Sequence, residues 1–365
     1  MKNLLTPIKI GSIELRNRVI MAPLTRSRSN REGIPNDLMR VYYEQRASAG
    51  LIISEATNIS SMGVGYIYTP GIWTQEQIEG WKPITQAVHS KGGRMFLQLW
   101  HTGRSSHPDF HKGEPTVSAS AINSGGLVNT YDGLKDKEAP RALSLSEIED
   151  TINDYVKAAE NAIEAGFDGV EIHGANGYLI DQFICSGSNV RDDMYGGSIE
   201  NRCRFGLEVV AAVCKAIGND RTAIRLSPSG TFNGMSDETP VETFSYMVDK
   251  LNDHNLAYLH IMEPYAPPGK TYVPQDSYLK DREVTQHFRK VYRGNLMTNS
   301  GFTVEEANDY ISNQTADMVA FGKLMISNPD LVERIQISTK LNEWDVKTFY
   351  SGGEKGYIDY PFLNQ

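Results

Sequence analysis

Short, continuous runs of apolar residues alternate with longer amphipathic stretches along most of the chain. The apolar runs are Val19–Leu24, Leu51–Ser54, Met95–Trp100, Gly169–His173, Ala223–Leu226, Tyr258–Met262, Leu296–Asn299 and Met318–Phe321. Such runs are typical of parallel strands that are covered on both faces. The helix-like stretches are Gln75–His89, Ser144–Glu164, Ile199–Ile217, Pro240–Leu251, Val304–Ser312 and Pro329–Gln336. Eight strands, most followed by a helix, predict a single (β/α)8 TIM barrel of the α/β class over residues 1–365.

A doubly wound open sheet is the competing architecture for this alternation. It usually carries a Gly-x-Gly-x-x-Gly turn directly after its first strand. The first run here leads instead into Ala22-Pro23-Leu24-Thr25-Arg26, and no such turn is present. The pattern therefore favours the barrel.

Two segments lie outside the repeat. Residues 8–15 alternate around a Gly-Ser turn and predict a hairpin that closes the bottom of the barrel. Residues from Thr102 to Arg141 are rich in Gly, Pro, Ser and His, and predict a long, irregular excursion after the third strand. Helix starts are predicted at Ser146, which precedes Glu149, and at Thr303.

Composition narrows the class of protein. The 365 residues include 36 Lys and Arg against 45 Asp and Glu, a net charge of −9, which argues against nucleic-acid binding. No apolar run approaches the roughly 18 residues of a membrane span, and no signal-peptide core is present. Three cysteines without a CxxC pair fit a reducing compartment. We expect a cytoplasmic protein without a membrane segment.

Polar side chains recur where the predicted strands end. In strand order these ends carry Thr25, Ala56, Gln98 with Trp100 and His101, His173, Arg225, and Asn299 with Ser300. Active sites of such barrels lie at the carboxyl ends of the strands. One buried polar residue is usually a satisfied core group, but several strand ends together indicate a bound polar ligand.

Arg225 is the most informative of these residues, because its guanidinium stays charged when it is buried. One interpretation is a structural ion pair with a carboxylate. The other is a bound electron-rich ring, such as the pyrimidine edge of a reduced flavin. The sequence favours neither.

The last two strands predict a phosphate site. Ser300 and Gly301 follow the seventh strand, and Gly322 and Lys323 follow the eighth. Barrel enzymes often bind phosphate with these two loops, where glycine lets the backbone approach the ligand closely.

The fourth strand and its loop are the richest in candidate chemistry. His173 ends the strand, and Asn176 and Tyr178 follow among glycines. Imidazole and amide could act as paired donors to one substrate oxygen, and a phenol could supply a proton. His101, His107 and His111 have no accompanying carboxylate cluster, so we expect no metal site.

These motifs resemble the old yellow enzyme family of flavin-dependent ene-reductases. The resemblance spans nearly the whole chain and rests on the following segments: residues 22–26, residues 97–104 (Leu-Gln-Leu-Trp-His-Thr-Gly-Arg), His173–Tyr178, Asp181-Gln182-Phe183, Tyr195-Gly196-Gly197-Ser198 and Asn328-Pro329-Asp330-Leu331. It is strongest with the branch that contains the N-ethylmaleimide, pentaerythritol tetranitrate, morphinone and 12-oxophytodienoate reductases.

The resemblance implies non-covalent FMN on the carboxyl-terminal face of the barrel. The implied cofactor-binding residues are Pro23, Leu24, Thr25, Ala56, Gln98, Arg225, Ser300, Gly301, Gly322 and Lys323. His173 and Asn176 would bind the substrate oxygen, and Tyr178 would be the proton donor. The implied pocket walls are Tyr66, Trp100, Tyr265 and Tyr350.

The resemblance also implies the reaction. NADPH or NADH would reduce the flavin, and flavin N5 would pass the hydride to the C=C bond of an α,β-unsaturated carbonyl or nitro compound. Nitro groups and nitrate esters are further candidate substrates, and the protein would be a monomer or homodimer. A phosphosugar aldolase or isomerase would need a Schiff-base lysine or paired carboxylates at the strand ends, and neither is found there. The non-enzyme alternative is a flavin-binding sensor that does not turn over. Such a protein would not need a proton donor, so His173, Asn176 and Tyr178 argue against it.

Overall fold

The computed structural model describes residues 2–264, 283–350 and 352–363. Tyr265, which the resemblance places in the pocket wall, lies outside these ranges. The strands of the described residues are β1 Ile8–Ile10, β2 Ile13–Leu15, β3 Val19–Met21, β4 Leu51–Ile53, β5 Thr57–Asn58, β6 Met95–Trp100, β7 Val117–Ser118, β8 Leu127–Thr130, β9 Gly133–Asp136, β10 Arg141–Ala142, β11 Gly169–Gly174, β12 Thr222–Leu226, β13 Tyr258–Met262, β14 Leu296–Asn299 and β15 Met318–Phe321.

Eight of these strands form a closed parallel barrel. Strands β3, β4, β6, β11, β12, β13, β14 and β15 pair in this order, and β15 pairs with β3. The predicted (β/α)8 barrel is confirmed. The first strand ends at Met21 rather than at Leu24, because Pro23 has no N–H to donate to a neighbouring strand.

Two hydrophobic layers account for the continuous apolar runs. Ile20 and Leu51 face the barrel interior, whereas their chain neighbours Val19 and Ile52 pack outward against the helices. Successive side chains of a strand point to opposite faces, so a strand that is covered on both faces is apolar at most positions rather than at alternate ones.

The helices of the described residues are α1 Asp37–Gln45, α2 Gln75–Ser90, α3 Leu145–Glu164, α4 Leu179–Ile184, α5 Ile199–Ile217, α6 Pro240–Leu251, α7 Val284–Arg289, α8 Val304–Ser312, α9 Lys323–Ser327 and α10 Leu331–Gln336. The sequence predicts α2, α3, α5, α6, α8 and α10 but misses the other four. Of these, α4, α7 and α9 have six residues or fewer, whereas α1 has nine, as many as α8. Within the described ranges, no helix has the length and hydropathy to cross a membrane.

Three of the described helices begin with a reciprocal capping box: α2 at Thr74, α3 at Ser144 and α8 at Thr303. Ser144 and Thr303 each accept the N–H of a glutamate three residues later, Glu147 and Glu306, whose side chain returns to the cap. Thr303 is the predicted cap. The prediction of Ser146 was wrong, because Ser144 occupies the extended position before the helix, whereas Ser146 lies within the first turn.

The N-terminal hairpin closes the bottom of the barrel, as predicted. Ile10 and Leu15 of β1 and β2 belong to the interior hydrophobic cluster. Gly11 at the turn has φ 50°, and a Cβ there would lie 2.1 Å from the carbonyl oxygen of Asp220. The hairpin therefore approaches the amino end of β12 more closely than any side chain allows.

The long excursion follows the third barrel strand, as predicted, but it is not irregular. Between Thr102 and Ala142, β8 and β9 form an antiparallel hairpin, and β7 pairs in parallel with β10. Each of these strands has four residues or fewer, so their alternation is too short to predict from the sequence.

Candidate active site

The carboxyl-terminal rim of the barrel brings together most of the predicted site residues. Gln98 on β6 lies opposite Glu171 on β11. Two residues after Glu171, His173 lies beside Arg225 of β12, and Arg225 lies beside His260 of β13. The exposed fraction of each of these five side chains is 5% or less. Buried polar groups need partners, so such a set indicates a ligand site.

Aromatic rings surround His173 at this rim. The Trp100 ring is nearly parallel to the His173 ring, with centroids 6.5 Å apart, and stacks on Tyr66 at 5.4 Å. Tyr178 meets both Trp100 and His173 edge-on, with centroids 4.9 Å apart in each case. Ala56 packs into the same cluster. The structure thus brings five of the predicted site residues together.

The Tyr178 phenol is buried in this cluster. Its hydroxyl group lies 3.5 Å from the Tyr66 hydroxyl oxygen, at the limit of a hydrogen bond. Burial raises the pKa of Tyr178 well above its ordinary value, and the neighbouring Tyr66 raises it further. The phenol therefore keeps its proton at neutral pH and can donate it to a molecule in the site.

His173 is a neutral imidazole. Burial holds the pKa of His173 well below its ordinary value, and the nearby charge of Arg225 lowers it further. Its Nδ1 accepts the backbone N–H of Ala175 at 3.3 Å, which assigns the ring proton to Nε2. His173 can therefore offer a substrate a hydrogen-bond donor without an ionic charge.

Backbone contacts hold Asn176 beside His173. Asn176 adopts a left-handed conformation with φ 59°, which asparagine tolerates better than most residues. Its N–H donates to Ser227 Oγ at 2.8 Å, and its carbonyl oxygen accepts Asn233 Nδ2 at 2.9 Å. No described residue hydrogen-bonds its half-buried side-chain amide, so this amide is available to a ligand.

Asp181 and Gln182 fix this loop, a role that the motif they belong to does not reveal from the sequence alone. Asp181 Oδ2 accepts the Gly177 N–H at 2.8 Å, and Gln182 Nε2 donates to the Gly177 carbonyl oxygen at 2.7 Å. Gly177 has φ 71°, and a Cβ there would lie 2.6 Å from the carbonyl oxygen of Phe232. Burial raises the pKa of Asp181 to about 7.

The structure favours the ligand interpretation of Arg225. Among the described residues, its guanidinium forms no hydrogen bond and no salt bridge, and its buried Nε has no partner. Burial lowers the pKa of Arg225, and Glu171 partly opposes this shift from a distance. A buried cation without a direct partner is costly, so an electron-rich group bound at the rim would stabilise it.

Glu171 is a buried carboxylate in the fourth strand and is not among the predicted site residues. Its Oε1 accepts Gln98 Nε2 at 2.8 Å, and its Oε2 lies 2.9 Å from His260 Nδ1. The signal was available, because residues two apart on a strand share a face and Glu171 precedes His173 by two. No second described carboxylate pairs with it, so the chemistry expected of an aldolase or isomerase is still not found.

The two loops predicted to bind phosphate lie side by side at the ends of β14 and β15. Ser300 and Gly301 have φ values of 97° and 72°, and Gly322 directly precedes α9. A Cβ on Gly322 would make only ordinary contact, 3.5 Å from Leu24. The protein packing therefore leaves room beside Gly322, and Lys323 at the start of α9 adds positive charge.

The remaining predicted residues within the described ranges lie around the same rim. Pro23 is buried, and Leu24 and Thr25 are half-buried where the chain leaves β3. Tyr350 is 64% exposed, and its proximity adds to the raised pKa values of Tyr66 and Tyr178. Its placement fits an outer wall of the site.

The donor set fits FMN rather than a metal. Arg225 and Gln98 offer donors to one edge of a ring, and the loops after β14 and β15 leave space for a phosphate. The described residues contain no cluster of three or more His, Cys, Asp or Glu that could hold a metal ion. The barrel and this rim define the class of a flavin-dependent oxidoreductase.

Comparison with known proteins identifies the family. Residues 3–342 match the NADH:flavin oxidoreductase / NADH oxidase family, and the chain belongs to it. 12-Oxophytodienoate reductase 1 of Oryza sativa subsp. japonica is 45% identical over 369 residues, which cover 99% of this chain and 93% of that protein.

Two solved structures show the same fold. Morphinone reductase in complex with tetrahydroNAD superposes with a TM-score of 0.91 at 46% identity, covering 100% of this chain and 98% of that one. The old yellow enzyme homologue from Zymomonas mobilis has a TM-score of 0.94 at 45% identity, covering 99% and 100%. These relatives confirm the predicted FMN-dependent ene-reductase of the old yellow enzyme family, with a nicotinamide nucleotide as reductant.

Proposed function

We propose that the protein reduces the C=C bond of α,β-unsaturated carbonyl or nitro compounds, using NADH or NADPH. The observation that carries this proposal is the pairing of a neutral His173 with a protonated Tyr178, whose ring centroids are 4.9 Å apart. This pair can bind an oxygen and protonate a carbon of the same substrate. The names of the relatives, 12-oxophytodienoate reductase and morphinone reductase, support a reductase.

The chain would hold FMN by both ends of the cofactor. Arg225 and Gln98 would face the pyrimidine edge, and Pro23, Leu24, Thr25 and Ala56 would surround the ring. Ser300, Gly301, Gly322 and Lys323 would bind the phosphate. When bound, FMN takes a hydride from the nicotinamide nucleotide and gives it to the substrate.

His173 and Asn176 would bind the substrate oxygen. The Nε2–H of His173 and the side-chain amide of Asn176 are donors that can converge on one carbonyl or nitro oxygen. Negative charge develops on this oxygen as hydride reaches the β-carbon. Fixed donors in a water-poor site therefore stabilise the transition state more than the bound substrate.

Tyr178 would complete the reduction by giving its proton to the α-carbon. Its high pKa keeps the proton in place until the carbon has gained negative charge. Tyr66, Trp100, Tyr265 and Tyr350 would form the pocket walls and orient the double bond. Nitro groups and nitrate esters are further candidate substrates, because their oxygens can use the same two donors.

The same proposal includes a cytoplasmic location and a monomeric or homodimeric state. The three thiols Cys185, Cys203 and Cys214 are all free, which fits a reducing compartment.

Stopped-flow absorbance of the purified holoenzyme tests the activity. NADH or NADPH should bleach the oxidised flavin, and 2-cyclohexenone or a nitroalkene should restore its absorbance. Reduction of the flavin by the nucleotide, without reoxidation by any member of such a panel, would refute the proposal and would favour the sensor alternative. A protein that binds no FMN would refute both.

A further inference from the structure

Glu171 lies at the base of the site and has no role in the proposed function. It is fully buried on β11, two residues before His173, and faces the same side of the strand. Its two carboxylate oxygens reach two different elements, β6 through Gln98 and β13 through His260. Burial of a carboxylate carries a large desolvation cost. Its two partners on separate strands therefore indicate that Glu171 holds these side chains in a defined arrangement.

The first consequence of this contact is the orientation of Gln98. Its Nε2 donates to Glu171 Oε1 at 2.8 Å, which assigns one of the two amide hydrogens. The second amide hydrogen and the amide oxygen then have fixed directions. Since Gln98 is buried, it presents one defined pattern of donor and acceptor to a ligand at the rim.

The second consequence concerns charge. Burial by itself raises the pKa of Glu171, but its contact with His260 Nδ1 at 2.9 Å, with help from Arg225 and Gln98, holds this pKa below its ordinary value. The carboxylate is therefore ionised at neutral pH. Burial lowers the pKa of His260, so Arg225 supplies the principal positive charge nearby.

We propose that Glu171 is a positioning residue that orients Gln98 and lowers the reduction potential of bound FMN by offsetting the positive charge of Arg225. This inference rests on the proposed placement of the flavin's pyrimidine edge at Gln98 and Arg225. Reduced flavin gathers negative charge at that edge, so Arg225 favours reduction and Glu171 opposes it. The pair would set the potential between the values that either charge alone would give.

The test is the midpoint potential of FMN bound to three variants and the wild type. Glu171→Gln removes the charge and replaces the carboxylate by an amide of nearly the same shape. It should favour reduced over oxidised FMN by about tenfold to a hundredfold, the usual effect of one nearby charge on an ionising group. For a two-electron couple this is a rise of about 30 to 60 mV. Glu171→Asp keeps the charge and should stay closer to the wild type.

Asp168→Asn is the matched control, because Asp168 is a half-buried carboxylate directly before the same strand. It accepts the Met95 N–H and contacts His89 at the opposite end of the barrel, 2.8 Å away in both cases. Its loss should lower the thermal stability without moving the potential. This control separates a general effect of losing a hydrogen-bonded carboxylate next to β11 from an effect on the flavin.

An unchanged or lowered potential in Glu171→Gln, with the fold intact by circular dichroism, would overturn the inference. An equal rise in Asp168→Asn would also overturn it. If Glu171→Gln loses its flavin during purification, titration of the apoprotein with oxidised and with dithionite-reduced FMN gives the same quantity as a ratio of two dissociation constants. A wild-type protein that binds no FMN would refute the proposed function itself, whereas a normal wild type with an unresponsive Glu171→Gln would refute only the role of Glu171.

Discussion

Replacement of Tyr178 by phenylalanine separates the two halves of the proposed cycle. The change removes one hydroxyl group and keeps the ring that packs 4.9 Å from both Trp100 and His173. The hydroxyl group's contact with Tyr66 is 3.5 Å long, so we expect its loss to change the free energy of unfolding by less than about 1 kcal/mol. Any large effect on turnover must therefore come from the missing proton.

The expected effects differ between the half-reactions. Reduction of the flavin by NADH or NADPH needs no proton from a phenol, so its rate should change little. Reoxidation by 2-cyclohexenone leaves negative charge on the α-carbon, and loss of a positioned acid should slow it by about 10²- to 10⁴-fold. Nitro-group reduction begins at the nitro oxygen and should suffer less.

Stopped-flow rates for the three reactions, measured on one preparation of matched flavin content, provide the assay. Tyr66→Phe is the companion variant, because it breaks the same contact but keeps the Tyr178 proton, and it should affect enone reduction much less. Equal losses in flavin reduction and enone reduction in Tyr178→Phe would show that the residue only supports the loop.

Three further predictions concern other parts of the site and fold. His173→Ala should weaken the binding of phenol to the oxidised holoenzyme by about tenfold to a hundredfold, because phenol would bind as the phenolate and a hydrogen bond to its charged oxygen is lost. An unchanged spectroscopic titration would remove His173 from the substrate site. Burial raises the pKa of Asp181 to about 7, so the folded state holds a proton that the unfolded state releases above about pH 4. Wild-type stability should therefore fall by up to about 1.4 kcal/mol per pH unit between pH 4 and 7, relative to Asp181→Asn in denaturant unfolding, and parallel pH curves for the two proteins would contradict this. Ser144→Ala should destabilise the protein by about 1 kcal/mol through loss of the α3 cap, whereas Ser146→Ala should have little effect; equal values from thermal unfolding would contradict the cap assignment.

Most of the barrel could be predicted from the sequence because its pattern is local. A strand that is covered on both faces is apolar along most of its length, and the predicted bounds of β6, β13, β14 and β15 agree with the structure. The capping serine of α3 was assigned two residues too late, since Ser144 and Ser146 both precede a glutamate at the same spacing. The short helices and the small strands of the excursion escaped prediction, because tertiary contacts rather than local periodicity stabilise them.

In the candidate site, too, some features could be predicted from the sequence and others only from the tertiary structure. The sequence by itself determined the residue types at the strand ends, including His173, Asn176, Tyr178 and Arg225, because the period of a strand and the resemblance both point to them. Only the tertiary structure decided that the Arg225 guanidinium has no described direct partner and that Glu171 joins Gln98 to His260. Those facts depend on which residues face one another across separate strands. Closure of the barrel brings together residues that are 73 and 89 positions apart in the chain, and no local pattern encodes such a contact.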